Sequence, residues 1–346
     1  MANICIIFGG NSVEYSISLQ SVYSVLSHLP TDDNHYYPIG ITENGQWFYY
    51  NGDIEYILND TWHKDIAHCQ SCMIPANNSN QLWILKDDYL INRIHIDAAF
   101  IMIHGNNGED GTIASLLQLA NITNLTCPPL AGSLAYDKYR SHLIAKALNI
   151  NVANCILITN MDAIDSDKIT NTIGYPCIVK PNKCGSSFGI ALVHDEKELL
   201  PAIQQAFTYD NEVLVEQYIN GCEVGVSIIT KDSTYISSVD KIEVNGIFDT
   251  NKKYQSHDAK VTSHAFDSDL EDKIKQIAYT LYQAHSCDNF ARIDCFLSED
   301  NTIYFNEINT IPGFTTTSRF PNMCASDGIT FDQLITQLLT FKRIFL

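Results

Sequence analysis

The stretch Ala291–Met323, ARIDCFLSEDNTIYFNEINTIPGFTTTSRFPNM, decides the fold of this chain. Its pattern predicts two strands joined by a polar turn, Ala291–Leu297 and Thr302–Thr310, followed by a loop rich in Gly, Thr and Ser. Side chains alternate along a strand, so apolar residues face one way and polar residues the other. If the turn has an even number of residues, Arg292 lies opposite Glu307. One face of the hairpin then presents Arg292, Asp294, Glu307 and Asn309.

Two interpretations of this polar face are open. Two carboxylates and a carboxamide are hard oxygen donors, which suit Mg²⁺ in a site where nucleotide phosphates supply further ligands. An arginine beside them would stabilise charge on a transferred phosphoryl group. The alternative is an edge hairpin in which Arg292 only forms a salt bridge with Glu307, since surface ion pairs are common and contribute little.

Composition places the chain among globular proteins. Its 346 residues suffice for two or three domains, and 45% hydrophobic and 18% charged residues are ordinary proportions. A formal charge of −19 argues against a nucleic-acid-binding or anionic-membrane-binding surface. Any anionic substrate must therefore be held by a few lysines and arginines.

The same composition predicts a cytoplasmic protein. No apolar run approaches the ~20 residues needed to span a bilayer, and the N-terminus is too short and uncharged for a signal peptide. Eleven cysteines without an export signal make a disulfide framework unexpected. A structural zinc at Cys69 and Cys72, with His63 and His68 nearby, is conceivable, but a second cysteine pair of matching spacing is missing.

Residues 1–125 have an α/β pattern. A strand at residues 4–8 leads into the turn FGGNSVEYS and a helix, and Glu14 lies in that turn. A second buried strand, Ala98–Ile103, ends in HGNNGEDGT, with His104 after the strand and a helix beginning near Thr112. Between them, Gly45–Ile94 is predicted to be an aromatic, turn-rich insertion without recognisable chemistry.

Pro128 and Pro129 mark a domain boundary, and a helix follows with Asp137 as N-cap and Lys138 in its first turn. Strands are predicted at 175–180 and 212–219, and helices at 267–285 and 331–341. The loop 185–189, GSSFG, would wrap phosphates with its backbone N–H groups or form a flexible turn; it is not a Walker A motif. The polar segment 244–265 is either a lid or a surface excursion.

Together these pieces resemble the D-alanine–D-alanine ligase family of the ATP-grasp superfamily. Eight motifs occur in the family's order: FGGNSVEYSISLQS, HGNNGEDGT, YDKYRS, IVKPNKCGSSFGI, VEQYINGCE, FDTNKKY, ARIDCF and FNEINTIPGFTTTSR. The phrases FGGNS-x-EY, VEQYING-x-E and SRFPN are similar to the vancomycin-resistance subgroup that makes D-alanyl-D-serine.

The resemblance implies an α/β (α+β ATP-grasp) fold, with a Rossmann-like N-terminal domain (1–125) followed by a central lobe (126–215) and a C-terminal lobe (216–346). The implied reaction joins D-alanine to D-alanine or D-serine through an acyl phosphate, for peptidoglycan precursors. It uses ATP and two Mg²⁺ ions, with Mn²⁺ as an alternative. The family also implies a homodimer.

Roles carried over from the family fall into four groups. The metal ligands are Asp294, Glu307 and Asn309. The ATP-binding residues are Lys138, Lys180, Ser186, Ser187, Glu216, Tyr218, Ile219, Glu223, Lys253 and Asn306. The catalytic residues are Glu14, Ser186, Lys253, Tyr254 and Arg292. The substrate-binding residues are Glu14, His104, Gly313, Ser318 and Arg319.

The chain departs from the family pattern in several places. The usual EHE or EYE triplet is Glu14-Tyr15-Ser16, so a second carboxylate is missing. Thr317 replaces a common histidine, FDTNKKY lacks one tyrosine, and the turn before Lys138 contains Cys127-Pro128-Pro129 in place of glycines. No metal ligand or phosphate lysine is lost. These changes bear on substrate preference more than on the reaction.

Three functions compete. The first is the D-alanine–D-amino acid ligase. The second is another ATP-grasp carboxylate ligase, such as a D-alanyl-D-lactate maker, against which Tyr254 argues. The third is a nucleotide-binding relative without catalysis, against which Lys253 argues. For the second substrate, Arg319 would donate to the hydroxyl of D-serine, or would only pair with a carboxylate and hold its loop.

Overall fold

The computed structural model describes residues 1–231, 233–242, 261–263 and 266–341. The α-helices in these ranges are α1 Tyr15–Ser27, α2 Glu55–Leu58, α3 Thr112–Ala120, α4 Pro129–Tyr136, α5 Lys138–Ala147, α6 Ser166–Thr172, α7 Glu196–Ala206, α8 Ser268–Ala284, α9 Arg319–Ser326 and α10 Phe331–Leu339. Short 3₁₀ helices lie at Trp62–Lys64 and Met161–Ala163. Within these ranges, no helix has both the length and the apolar character needed to cross a membrane.

Within the described ranges, the strands form three sheets. The first contains β1 Asn3–Gly9, β2 His35–Ile41, β3 Trp47–Tyr50, β4 Cys69–Met73, β5 Gln81–Lys86, β6 Tyr89–His95, β7 Ala98–Met102 and β8 Thr123–Asn124. The second contains β9 Cys155–Ile158, β10 Cys177–Pro181, β11 Ala191–Val193 and β12 Val213–Gln217. The third contains β13 Gly221–Thr230, β14 Thr234–Ile236, β15 Asp240–Ile242, β16 Val261–Ser263, β17 Asn289–Ser298 and β18 Ile303–Asn309.

The first sheet has the order β6-β5-β4-β3-β2-β1-β7-β8. Its β1 strand pairs in parallel with β2 and β7, and β7 with β8, as the α/β pattern predicts. The segment Gly45–Ile94 is not an insertion outside the fold. It supplies β3 to β6, which extend the sheet by antiparallel pairing. Most of the aromatic residues of this segment lie in these strands, where such side chains pack well on a pleated surface.

One of these aromatics supports the start of α1. Trp62 is fully buried, and its ring packs edge-on to Phe8 with 5.1 Å between centroids. Its Nε1 donates to the Tyr15 hydroxyl at 3.2 Å. Gly40 lies against the same ring, and a Cβ at this position would be 2.4 Å from the indole. The segment predicted to have no chemistry therefore supports the residue next to Glu14.

The second sheet has the order β11-β10-β12-β9, and all its pairs are antiparallel. The third has the order β16-β15-β13-β17-β18, with β14 paired to β13. Most predicted elements of this half are confirmed, including α5 beginning at Lys138 behind Asp137, whose side chain accepts from Arg140 N–H. The proposed boundary at 215/216 falls within β12, and the division into three domains stays a prediction.

In the part of the chain that the structure describes, three apolar cores lie beside these sheets. The largest continues from the first sheet into the C-terminal part through four phenylalanines. Phe100 of β7 lies 5.8 Å from both Phe290 of β17 and Phe314, measured between ring centroids. Phe320 of α9 completes the group, 5.4 Å from Phe314. This phenylalanine cluster sets the position of the loop after β18 relative to β1 and β7.

Candidate active site

The β17–β18 hairpin places its four polar residues on one face, but in a different register from the prediction. Arg292 pairs with Asn309 and Asp294 with Glu307. The predicted pairing of Arg292 with Glu307 is wrong for two reasons. The Ser298 N–H donates to Thr302 O at 3.0 Å, which closes an odd-numbered loop with Asn301 at φ 63°. A β-bulge then shifts the register, so that Cys295 pairs with Phe305.

Asp294 is the most enclosed carboxylate of this face, with 1% of the residue exposed. It accepts from Arg292 through Nε at 2.9 Å and Nη2 at 2.7 Å, and from Asn309 Nδ2 at 2.9 Å. Arg319 Nη1 donates to it at 3.1 Å. The salt bridge of Arg292 is thus with Asp294 and is buried, which excludes the surface-hairpin alternative.

Glu307 lies beside the first lysine of α5. The Lys138 ammonium is 3.3 Å from Glu307 Oε2 and donates to the Cys184 carbonyl at 2.7 Å. Burial by itself would lower the pKa of Lys138, but Glu307 and the other acidic groups around the ammonium together outweigh burial, and the pKa is raised. The lysine therefore stays charged and joins β18 to the loop after β10.

Lys180 forms a second buried network. Its ammonium is 2.7 Å from Glu216 Oε2, and it donates to Asn306 Oδ1 at 3.4 Å. On the other side, His142 Nδ1 is 3.6 Å from Glu216 Oε1, and neither atom has a hydrogen-bond partner among the described residues. Burial raises the pKa of Glu216, but Lys180, with smaller effects of His142 and Lys138, outweighs burial and lowers the pKa, so the carboxylate is ionised. An unpaired buried acceptor of this kind fits a ligand amino group such as that of adenine.

Glu14 lies directly before α1 and is 3% exposed. Its Oε1 accepts from the Ser186 hydroxyl, whereas its Oε2 has no hydrogen-bond partner among the described residues. Burial raises the pKa of Glu14, an effect that the Ser186 hydrogen bond and the Lys138 charge partly counter. Two glycines make room, because a Cβ at Gly105 or Gly185 would lie 2.6 or 2.8 Å from the carboxylate oxygens. The free oxygen fits a ligand ammonium.

The loop 185–189 bends through three residues with positive φ, Ser186 at 50°, Ser187 at 60° and Gly189 at 70°. Its base is anchored at Lys183, whose N–H donates to Asp210 Oδ2 at 2.7 Å and whose ammonium donates to Glu212 Oε2 at 2.6 Å. A loop with such an anchor, and with Ser186 bonded to Glu14, is not simply a flexible turn. Its position beside Lys138 fits a phosphate-binding loop.

His104 and the loop after β18 meet at Ser21 of α1. The Ser21 hydroxyl is 3.0 Å from His104 Nε2 and accepts from the Phe314 N–H at 3.3 Å. Burial lowers the pKa of His104 to about 4, so its ring is neutral. Ser318 Oγ accepts from Thr315 N–H at 3.0 Å, and a Cβ at Gly313 would lie 2.9 Å from it.

Arg319 is fixed by three carboxylates. It donates through Nε and Nη2 to Asp240 at 2.6 and 2.7 Å, and through Nη1 to Glu223 at 2.5 Å and to Asp294. Gly225 makes this possible, since a Cβ there would lie 2.6 Å from Nη2. The expectation that Arg319 reads a substrate hydroxyl is not supported; the structure shows the alternative, an arginine that holds its loop through carboxylates.

Asp294, Glu307 and Asn309 are a donor set of hard oxygens that fits Mg²⁺. Asp294 and Glu307 are directly opposed in the ladder, and a rotation of the Asn309 amide would turn its oxygen toward them. The structure does not support a zinc site at Cys69 and Cys72. Cys69 and Cys72 are three residues apart in β4 and point to opposite faces, Cys69 Sγ donates to Trp62 O at 3.2 Å, and His68 pairs with Asp65.

Tyr218 and Ile219 are half-buried just beyond β12, next to Glu216. Lys253 and Tyr254, with most of the predicted lid 244–265, lie outside the described residues.

Three residues of the site were missed. His142 and Asn182 had a usable signal, because His142 lies four residues after Lys138 on one helix and Asn182 two residues after Lys180 at a strand end. Asp240 had none, since only the fold brings it to Arg319.

The chain is similar in sequence and structure to proteins of one family. The family models described as D-ala D-ala ligase N-terminus and D-ala D-ala ligase C-terminus match residues 3–127 and 144–340. The chain is 37% identical to the vancomycin C-type resistance protein VanC2 of Enterococcus casseliflavus, over 99% of each chain. It is 31% identical to a D-alanine–D-alanine ligase of Caldicellulosiruptor bescii, over 97% of this chain and 94% of that one. The crystal structure of the VanG D-Ala:D-Ser ligase from Enterococcus faecalis superposes with a TM-score of 0.88, at 37% identity, over 98% of each chain.

Proposed function

The chain belongs to the D-alanine–D-alanine ligase family of ATP-dependent ligases, and from that premise we propose that it joins D-alanine to a second D-amino acid for peptidoglycan precursors. The proposal rests on one observation. Glu14, the loop at Ser186, Lys138 and Glu307 meet through the Ser186–Glu14 hydrogen bond and the 3.3 Å Lys138–Glu307 pair. Groups that would bind an amino acid, a phosphate and a cation thus lie together, which supports the proposal.

A carboxylate is a poor acyl donor because its leaving group would be oxide. In the proposed reaction a carboxylate oxygen of the first D-alanine attacks the γ-phosphorus of ATP, and ADP leaves. The amine of the second amino acid then attacks the acyl carbon, phosphate leaves, and the amine loses a proton. Two Mg²⁺ ions held by Asp294, Glu307 and Asn309, with Mn²⁺ as an alternative, would neutralise charge on the phosphates.

The side chains of this chain have separable tasks in that reaction. Glu14 Oε2 would accept from the ammonium of the first D-alanine, with neutral His104 near its carboxylate. Lys138 and Lys180 would donate to the phosphates covered by the loop with Ser186 and Ser187. Arg292, already oriented by Asp294, would stabilise the charge that develops in transfer.

The nucleotide and acceptor groups complete the assignment. Glu216 would accept from the adenine amine, and Tyr218 and Ile219 would bind adenine through their backbone. Glu223 would bind the ribose. Asn306 would contribute to ATP binding from its position beside Lys180. Gly313 and Ser318 would face the acceptor. Lys253 and Tyr254 are proposed from the family resemblance alone.

For the acceptor we propose D-serine, with D-alanine as the competitor. The similarity to the VanG D-Ala:D-Ser ligase over 98% of the chain supports this choice. The loop after β18, residues 310–318, is here called the acceptor loop. Arg319 contributes by holding this loop in place through its ion pairs with Asp240 and Glu223, not by direct contact with the hydroxyl. A homodimer in the cytoplasm is likewise proposed from the family.

The test is the purified protein with ATP and MgCl₂, given D-alanine alone, D-alanine with D-serine, or the L-enantiomers as control. We expect ADP and phosphate to form only with D-amino acids, and mass spectrometry to detect D-alanyl-D-serine in excess over D-alanyl-D-alanine. ATP hydrolysis without dipeptide would contradict the ligase. A higher kcat/KM for D-alanine would contradict the D-serine choice alone.

A further inference from the structure

The β-bulge in β18 decides where Glu307 points. Cys295 pairs with Phe305 and Asp294 with Glu307, so Asn306 is an extra residue without a partner on β17. If the register of Cys295–Phe305 continued without the bulge, Asn306 would lie opposite Asp294. Glu307 would then share the face of Ile293, which is 1% exposed and belongs to the core. The bulge therefore turns Glu307 from the core toward Asp294.

His142 binds the bulge at its backbone. Its Nε2 is 2.8 Å from the carbonyl oxygen of Asn306. Because a carbonyl only accepts, Nε2 bears the hydrogen, and the ring is 1% exposed, so water does not replace it. The ring also packs edge-on against Phe305, with 5.7 Å between centroids. Lys180 holds the side chain of the same asparagine at 3.4 Å.

The helix that bears His142 also binds the next residue of β18. Lys138, one helical turn before His142, is 3.3 Å from Glu307. Helix α5 thus fixes the bulge carbonyl with one side chain and the carboxylate with the other. Since a buried carbonyl without a donor is costly, loss of the His142 donor favours rearrangement of the bulge.

We propose that His142 is a positioning residue that fixes the Asn306 bulge and thereby aims Glu307 at Asp294, setting the affinity of the site for divalent cations. The inference rests on the proposed function only in taking Glu307 as a cation ligand. Groups that orient metal ligands from behind typically change metal affinity about 10–100-fold when removed.

The chain offers a matched control in His285. It is fully buried, and its ring centroid lies 6.1 Å from that of Phe305, in the same core as His142. Its nitrogens bind Ser141 Oγ at 2.8 Å and Leu281 O at 2.8 Å, and none binds Asn306. A purely structural histidine at this core would behave like His285.

The variants are His142→Phe, which keeps the ring against Phe305 without a donor, His142→Gln, which keeps a donor near the Nε2 position, and His285→Phe. Mn²⁺ binding is measured by isothermal titration calorimetry with ADP present, and the unfolding midpoint by circular dichroism. We expect His142→Phe to weaken Mn²⁺ binding about tenfold, His142→Gln to restore it to within about threefold, and His285→Phe to leave it unchanged.

Unchanged Mn²⁺ binding in His142→Phe, or equal weakening in His285→Phe, would overturn the proposal. If His142→Phe does not fold, His142→Leu gives the same comparison. Failure of the proposed function is distinguishable, because wild-type protein that binds Mn²⁺ with ADP but forms no dipeptide contradicts the ligase and leaves the role of His142 testable by the same titration.

Discussion

Single residues in the candidate site are charged groups removed from water, each opposed by a partner. Lys138 opposes Glu307, Lys180 opposes Glu216, and Arg292 opposes Asp294, at 3.3, 2.7 and 2.7 Å. Removing one member of such a pair takes the main counter-charge from a group that is largely shielded from water, which is more costly than the loss of a surface pair. Effects of substitution here therefore combine function with stability, and the choice of variant matters.

At Glu307 we predict that Glu307→Gln lowers kcat by about a hundredfold or more, because the amide keeps the shape but loses the charge opposed to Lys138 and a cation. Steady-state kinetics at saturating ATP and circular dichroism check this. Glu299→Gln, on the exposed hairpin turn, is the control and should be neutral. Near-normal turnover in a folded Glu307→Gln protein would remove Glu307 from the metal ligands.

At His104 we predict a pH-dependent contribution to stability. Its pKa is lowered from 6.5 to about 4 by burial, so the unfolded chain binds the proton more readily. Stability from this group is complete above pH 6.5 and is lost as pH falls toward 4, by roughly 3 kcal/mol in total. Urea unfolding of wild type and His104→Gln across this range measures it. The variant should show the shallower decline, and identical slopes would contradict the assignment.

At the scale of elements, the N-terminus of α5 is held to the end of β10 by Asn182, which is fully buried. Its Oδ1 accepts from Tyr139 N–H at 2.8 Å, and its Nδ2 donates to Asp137 and Glu212, both at 3.0 Å. The Lys138 N–H also donates to its carbonyl at 3.3 Å. The helix and the strand, each of which carries one of the two lysines proposed to bind phosphate, are thereby joined as one unit.

We predict that Asn182→Ala lowers the free energy of unfolding by about 2–3 kcal/mol, because three polar groups lose their hydrogen bonds to Asn182. The variant should also raise KM for ATP more than it lowers kcat, because α5 and β10 are no longer held together. Chemical denaturation and ATP titrations measure the two effects. Asn160→Ala is the control, an exposed N-cap with one bond to Asp162 N–H at 2.9 Å, and should cost under about 1 kcal/mol with KM unchanged. An unchanged KM in Asn182→Ala would make its role structural only.

At the scale of the whole molecule, the phenylalanine cluster joins the first sheet to the acceptor loop. Phe314 is fully buried and contacts Phe100, Phe290 and Phe320, while its N–H donates to Ser21 beside His104. Packing at this junction therefore sets the distance between the groups proposed for the first and second amino acids.

We predict that Phe314→Ala lowers the free energy of unfolding by about 3–5 kcal/mol and raises KM for both amino acids. Ile203→Ala, in the separate core of the second sheet, should cost about 2–5 kcal/mol without that kinetic effect. Denaturation and initial-rate kinetics of the two variants make the comparison. Equal changes in KM would show that general destabilisation, not the junction, affects the substrates.

Alternation along β17 and β18 determined from the sequence alone that Arg292 and Asp294 share a face, and so do Glu307 and Asn309, because the period of two is a local property of the extended backbone. The motifs likewise identified Lys138 behind its N-cap and Lys180 at a strand end, since capping and strand patterns depend on near neighbours.

The tertiary structure alone decided how the strands align and which charges pair. The odd-numbered turn and the Asn306 bulge, whose carbonyl is bound by His142 from 164 residues away, together placed Glu307 opposite Asp294 and not opposite Arg292. Ion pairs with Asp240, Glu223 and Asp294 give Arg319 a structural role, in which it fixes the position of the loop before it. Register depends on turn length and bulges, and ion pairing on contacts between distant segments, so neither follows from local pattern.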